Sequence, residues 1–130
     1  MYRLSKTFTF EASHRLPHHD GKCKNLHGHS WRCTLVVEGD RLIEDGPKAG
    51  MLIDYADLGR VTRSLHDRLD HRHLNELLDN PTSERLAAFV FEQARPQVEG
   101  SGVRLAAVVI EETCTSRGEY RATTGGPYSS

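Results

Sequence analysis

The chain has 130 residues, a formal net charge of −1, and 17 lysines and arginines scattered along its length. It is large enough for one domain with its own core, and it carries no basic stripe of the kind that tracks a nucleic-acid backbone. No apolar run approaches the roughly 18 residues of a membrane span and no apolar leader opens the chain, which argues against a membrane partner and for a cytoplasmic setting.

Residues 4–14 alternate, with Leu4, Phe8, Phe10, Ala12 and His14 on one face and Ser5, Thr7, Thr9, Glu11 and Ser13 on the other, so a half-buried strand is predicted; Lys6 breaks the pattern. Residues 27–38 alternate in the same way, placing His27, His29, Trp31, Cys33, Leu35 and Val37 on one face of a second strand. Turn residues at Gly39-Asp40 and through 44–50 lead to Asp54, a predicted helix cap, with Asp57 reaching back as a weak capping box. Leu58, Val61, Leu65 and Leu69 then form one apolar stripe of a helix over 55–69. Asn80-Pro81-Thr82-Ser83 reads as turn and cap of a second helix carrying Leu86, Phe89, Val90 and Ala94, which Pro96 should close. The apolar, β-branched run 105–110 predicts a strand buried on both faces that continues to Thr115, followed by a short strand over 119–123. This order predicts an α+β domain over 1–122, an antiparallel four-stranded sheet with both helices on one face, and a frayed tail over 123–130.

Three cysteines, an odd number without a secretion signal, imply reduced thiols. Eight histidines are the one compositional excess, and most fall within 14–29 and 71–73. If the first two strands pair across the connection 15–26, His14 and His27 become neighbours at adjacent strand ends. His27 and His29 share a face, so three imidazoles can converge, and Gly28 between them leaves room for close backbone approach. Three neutral imidazoles with a fourth position left to water or substrate is the pattern of a catalytic zinc. His18 and His19 read as solvated loop residues, His66 and His73 as structural.

Cys23 lies four residues before His27 between Lys22 and Lys24, and two ammonium groups near a dication favour thiolate; an inert loop thiol is an equally good reading of the same residues. Cys33 faces the core, and packing is also the expectation for Cys114. Asp70-His71 closes the first helix as a carboxylate beside an imidazole, the pairing that orients a general acid or base near neutral pH. Glu112 continues the face of Val108 and Ile110, and is either a frayed strand end or a carboxylate aimed into a pocket.

Five ordered segments, Phe10-Glu11-Ala12-Ser13-His14-Arg15-Leu16, Cys23-x-x-x-His27-Gly28-His29, Leu69-Asp70-His71, Asn80-Pro81-Thr82-Ser83-Glu84 and Glu112-Thr113-Cys114-Thr115, resemble the successive motifs of the 6-pyruvoyl-tetrahydropterin synthase family. The three-residue spacer between Cys23 and His27 resembles its bacterial carboxy branch, which serves queuosine biosynthesis; the stretch 116–121 departs from the family pattern. The resemblance implies a tunnelling fold assembled through sheet edges into a trimer or dimer of trimers, acting on a small pterin. It implies zinc on His14, His27 and His29, Cys23 as base, Asp70 with His71 as a second proton relay, and Glu112 as the anchor of the pterin ring. Thr82 and Ser83 would help hold the ring, a role compatible with capping. The implied reaction takes 7,8-dihydroneopterin triphosphate to 6-carboxy-5,6,7,8-tetrahydropterin with release of acetaldehyde and triphosphate. The pyruvoyl branch would eliminate triphosphate without the carbon–carbon cleavage. A hydrolase using His₃ zinc would leave Cys23 and Glu112 without roles, and a domain merely stapled by zinc would unfold on its removal and be indifferent to Cys23→Ala.

Overall fold

The two long alternating segments pair as a single antiparallel hairpin, β1 (Tyr2–His14) with β2 (His27–Gly39), whose last register pair is His14 opposite His27. These strands open a computed structural model that describes residues 1–99 and 102–123. The remaining elements are α1 (Tyr55–Leu69), a two-residue strand β3 (Arg72–His73), α2 (Ser83–Glu99), β4 (Arg104–Thr113) and β5 (Ser116–Arg121). The sheet order is β3-β1-β2-β4-β5.

The expected four-stranded sheet is therefore five-stranded. The extra strand, β3, runs parallel to β1 through Ala12–Arg72 and Ser13–His73 and is too short to leave any alternation in the sequence. All other pairings are antiparallel. Expected strand ends also move. β4 stops at Thr113, because Cys114-Thr115 forms a two-residue turn in which the Thr115 amide donates to Thr113 Oγ1 at 3.3 Å, and β5 spans Ser116–Arg121 rather than 119–123. Cys114, on this turn, is exposed instead of packed. Of the tail expected over 123–130, only Thr123 lies among the described residues.

Both helices cover one face of the sheet, α1 over β1 and α2 over β4 and β5. The core between them is closed by Phe10, Trp31, Leu35, Leu58, Leu69, Leu86, Val90 and Ile110, all essentially inaccessible. Alternation alone would put Leu105, Ala107 and Val109 on one face of β4. A bulge, where Val36 pairs with Ala107 but Val37 with Leu105, resets the parity so that Leu105, Val108 and Ile110 all enter the core. Glu112 follows in phase with Val108 and Ile110.

Two local expectations change, and one exception in the pattern finds its reason. Asp54 caps α1, its carboxylate accepting from the Ala56 amide at 2.8 Å, but the Asp57 carboxylate turns to Lys48 Nζ at 2.5 Å and to Arg60 rather than back to the cap. Pro96 does not close α2; the helix runs on to Glu99, because the lost hydrogen bond falls in the last turn and Val98 is fully buried there. Lys6, the exception in β1, lays its stem beside Gly59 of α1, where a Cβ would come within 3.4 Å of Lys6 Cε.

Candidate metal centre and proton-transfer groups

The hairpin end brings His14, His27 and His29 into a near-equilateral triangle, with ring centroids 4.5, 4.9 and 5.1 Å apart. Trp31, two residues further along β2, is the floor: its indole stands edge-on to His14 and His29, and its Nε1–H is tied to the Ala12 carbonyl at 3.1 Å. Gly28 does not owe its place to crowding, since a Cβ there would meet the Ala12 carbonyl oxygen at an ordinary 3.7 Å.

The tautomers are fixed from outside the triangle. His14 Nδ1–H donates to the Pro81 carbonyl at 2.9 Å, and His27 Nδ1–H donates to the Asn25 carbonyl at 2.7 Å. A carbonyl can only accept, so in the neutral form of either ring Nε2 carries the lone pair, the arrangement that prepares imidazole for a metal. Burial first of all, with the neighbouring imidazoles adding to it, holds the His14 ring below its usual pKa despite the opposing pull of Pro81 and Glu112, which favours the neutral ligand form.

Glu112 arrives from β4 as the fourth member. Its Oε1 lies 2.9 Å from His29 Nε2 and 3.4 Å from His14 Nε2, while Oε2 accepts from Ser83 Oγ at 3.0 Å. Neither imidazole contact has hydrogen-bond geometry, so the buried Nε2 atoms of His14 and His29 have no hydrogen-bond partner. A carboxylate oxygen facing the lone pair of His14, with no proton between them, is repulsive unless a cation sits among the donors. Ligand atoms of all four residues lie within 4.8 Å of one another. A tetrahedral zinc with bonds of about 2.1 Å separates its donors by about 3.4 Å, so the donor set and its spacing fit zinc. The fourth corner, expected to be open, is where the Glu112 carboxylate stands.

The proton-transfer candidates come from both sides of the hairpin end. Asp70 follows α1 and spends both oxygens: Oδ1 accepts from the Glu11 amide at 2.8 Å and Oδ2 from His71 Nδ1–H at 2.7 Å. These two bonds, the Glu11 amide first, hold the Asp70 carboxyl below the usual carboxylate range. His71 occupies the left-handed region at φ 57°, rare for a residue with a side chain, and is pinned there by its own amide donating to the Glu11 carbonyl at 2.6 Å. A 740 Å³ cleft lies along the polar face of the hairpin, opposite the histidine face, lined by Glu11, Ser13, Ser30, His71, His73 and Glu76 and touching His29. Of the four residues of the metal group only His29 borders this cleft; His14, His27 and Glu112 do not.

Cys23 sits half-buried in a short 3₁₀ turn, Lys22–Lys24, within the connection between β1 and β2. The loop is closed by the Leu16 amide donating to the Cys23 carbonyl at 2.8 Å. Cys33 is fully buried and burial pushes its thiol far up, leaving it an inert core residue. Thr82 Oγ1 caps α2 by accepting from the Arg85 amide at 3.1 Å, whereas Ser83 spends its hydroxyl on Glu112. His18 is exposed, but His19 holds the loop, its Nδ1 accepting from the Gly21 amide at 2.8 Å. His73 meets Ser13 Oγ at 3.1 Å, and His66 Nε2 lies 3.6 Å from Asp70. The parts sequence reasoning missed are Trp31 as floor, Pro81 as the acceptor that fixes His14, and Ser83 as the holder of Glu112. Only Trp31, on the same strand face as the histidines, had a signal in the pattern.

The family of 6-pyruvoyl tetrahydropterin synthases matches residues 3–123. The chain belongs to this family. A 6-carboxy-5,6,7,8-tetrahydropterin synthase of Synechocystis is 43% identical over 124 residues, covering 92% of this chain and 93% of that protein. A protein of the same name from Haemophilus influenzae is 29% identical, covering 93% of this chain and 99% of its own. The structure of the Caenorhabditis elegans 6-pyruvoyl tetrahydropterin synthase superposes with a TM-score of 0.79 at 28% identity, over 94% of this chain and 96% of that one. The family's fold accounts for the two helices on a mostly antiparallel sheet. Among the described residues, no helix is long and apolar enough to cross a membrane.

Proposed function

We propose that the protein is a zinc-dependent lyase that converts 7,8-dihydroneopterin triphosphate and one water to 6-carboxy-5,6,7,8-tetrahydropterin, acetaldehyde and triphosphate, in queuosine biosynthesis. Membership of a pterin-synthase enzyme family supports the substrate class, and the 43% identical relative of the carboxy type supports the product. The observation that carries the reading is the convergence of His14, His27, His29 and Glu112 at the paired strand ends, their ligand atoms within 4.8 Å of one another.

His14, His27 and His29 hold the zinc, and the chemistry zinc supplies there is polarisation of the substrate's side-chain oxygens. Cys23 takes a proton from the side-chain carbon. His71, oriented by Asp70, gives and takes the second proton, its Nδ1–H fixed so that Nε2 faces outward to the substrate. Glu112 remains held by Ser83 through Oε2 and exchanges its contacts with the imidazoles for the paired donors of the ring, N3–H and the 2-amino group. Thr82 and Ser83 flank that ring edge from the start of α2. The functional unit is a cytoplasmic trimer or dimer of trimers, in which copies join along β5 and along the part of β1 that the two-residue β3 leaves unpaired.

The pyruvoyl reading shares every one of these groups and is favoured by the likeness to the C. elegans structure. The experiment that separates the two is incubation with 7,8-dihydroneopterin triphosphate followed by mass spectrometry and acetaldehyde assay. Carboxytetrahydropterin with one acetaldehyde per turnover is expected. A pyruvoyl product without acetaldehyde would assign the chain to the other branch, and bare hydrolysis of the triphosphate would overturn both.

A further inference from the structure

The segment after the relay carries a side chain that the reaction scheme leaves unused. Asn75 lies in a 3₁₀ turn, Leu74–Glu76, whose first residue, Leu74, is fully buried and plugs the turn into the core. With that anchor, the Asn75 amide is turned toward β1. Its Oδ1 accepts from the Arg15 amide at 2.9 Å, and its Nδ2 donates to the Arg15 carbonyl at 2.9 Å. One side chain thus satisfies both backbone groups of a residue 60 positions away in sequence, as a neighbouring strand would.

The position of that clamp matters more than its strength. β3 pairs with β1 at Ala12 and Ser13 and then stops. Asn75 continues the pairing in side-chain form across Arg15, the first residue beyond the metal ligand His14. The next residue, Leu16, makes the amide bond to the Cys23 carbonyl that closes the loop carrying the thiol. On its own segment, Asn75 stands four residues after His71. The same short stretch therefore holds the relay histidine through β1, by the His71 amide to Glu11, and the root of the cysteine loop through Asn75.

We propose that Asn75 is a positioning residue that sets the departure of the 15–26 loop from the sheet, and so the placement of Cys23 at the end of the histidine hairpin. A hydrogen-bonded pair of this kind is a modest contributor to stability, so the fold does not depend on it. Reaction geometry is far less forgiving, because a displacement of about 1 Å at a reacting group lowers turnover by roughly 10²-fold. The proposal rests on the reading of Cys23 and His71 as the two proton-transfer groups.

The test compares the full-length protein with Asn75→Ala and Asn75→Asp. Each variant is measured for zinc content, far-UV circular dichroism, kcat and KM, and the iodoacetamide alkylation rate of each cysteine by peptide mass spectrometry across pH. The Asp variant keeps the acceptor for the Arg15 amide and loses the donor to its carbonyl. Asn75→Ala is expected to keep its zinc and its spectrum, to lose kcat by roughly 10-fold or more with KM moving much less, and to change the pH profile of Cys23 alkylation while Cys114 reacts as before. Asn75→Asp should fall between Ala and the parent, and it carries the test alone if the Ala variant does not fold. An unaltered Cys23 alkylation profile with full kcat overturns the proposal. So does a fall in kcat that tracks lost zinc, which would make Asn75 a support of the metal end alone. Alkylation is read without substrate, so absence of lyase activity in the parent protein would fail the proposed reaction while leaving this arm to decide on Asn75.

Discussion

Asp70 shows how far a single side chain can be committed. Both of its oxygens are engaged by donors, and an amide at this position could satisfy only one of them, since its NH₂ would face either the Glu11 N–H or the His71 Nδ1–H. Asp70→Asn should therefore free His71 to take the other tautomer and lower kcat by about 10² or more, with far smaller change in KM, in steady-state kinetics. Near-normal kcat would remove Asp70 from the relay. The pH consequence follows from the direction of its shift. A carboxyl held low in the folded state contributes stability that is present above the ordinary carboxylate range and is lost only as pH falls through the lowered folded value. Asp70 is thus ionised throughout the neutral range, and thermal melts between pH 5 and 8 should show no loss from this group.

At the scale of elements, the site is assembled by contacts between segments far apart in sequence. β5 approaches the start of α2 at Gly118, where a Cβ would sit 3.2 Å from Ser83 Cβ and 3.4 Å from the backbone of residues 83 and 84. That close approach holds Ser83 against Glu112. Gly118→Val should push the two elements apart, destabilising the protein by about 1–3 kcal/mol in urea unfolding and weakening pterin binding in direct titration. Unchanged binding would mean that Ser83 does not set the carboxylate. The pairing of the histidine strand ends was legible because period-two alternation fixes which side chains share a face, and the 55–69 helix because its apolar stripe repeats cleanly. β3, the β4 bulge and the Asn75 clamp were not legible, since each is decided by a partner some 60 or more residues away, and no local pattern records it. Pro96 misled for a related reason: local preference predicts a helix end, and the buried Val98 overrides it.

For the whole molecule, the sheet, its helical layer and the three histidines could be derived from strand parity, while the purpose of the site could not. Periodicity led to a triangle of imidazoles; the five ordered motifs gave it a substrate, and the structure supplied Glu112 as a fourth donor facing the lone pair of His14, a meeting that calls for a cation. Because the core of Phe10, Trp31, Leu35 and Leu86 is apolar and draws on none of the metal-binding side chains, chelation should leave the far-UV spectrum intact and lower the melting temperature by only a few degrees. Unfolding on chelation would instead make the zinc a structural staple. The measurement that bears most directly on the account is the Cys23→Ala variant, assayed for zinc by elemental analysis and for turnover of 7,8-dihydroneopterin triphosphate. The account predicts full zinc, an unchanged spectrum and a loss of turnover of at least about 10²-fold, whereas retained turnover would show that the metal acts without the thiol and contradict it.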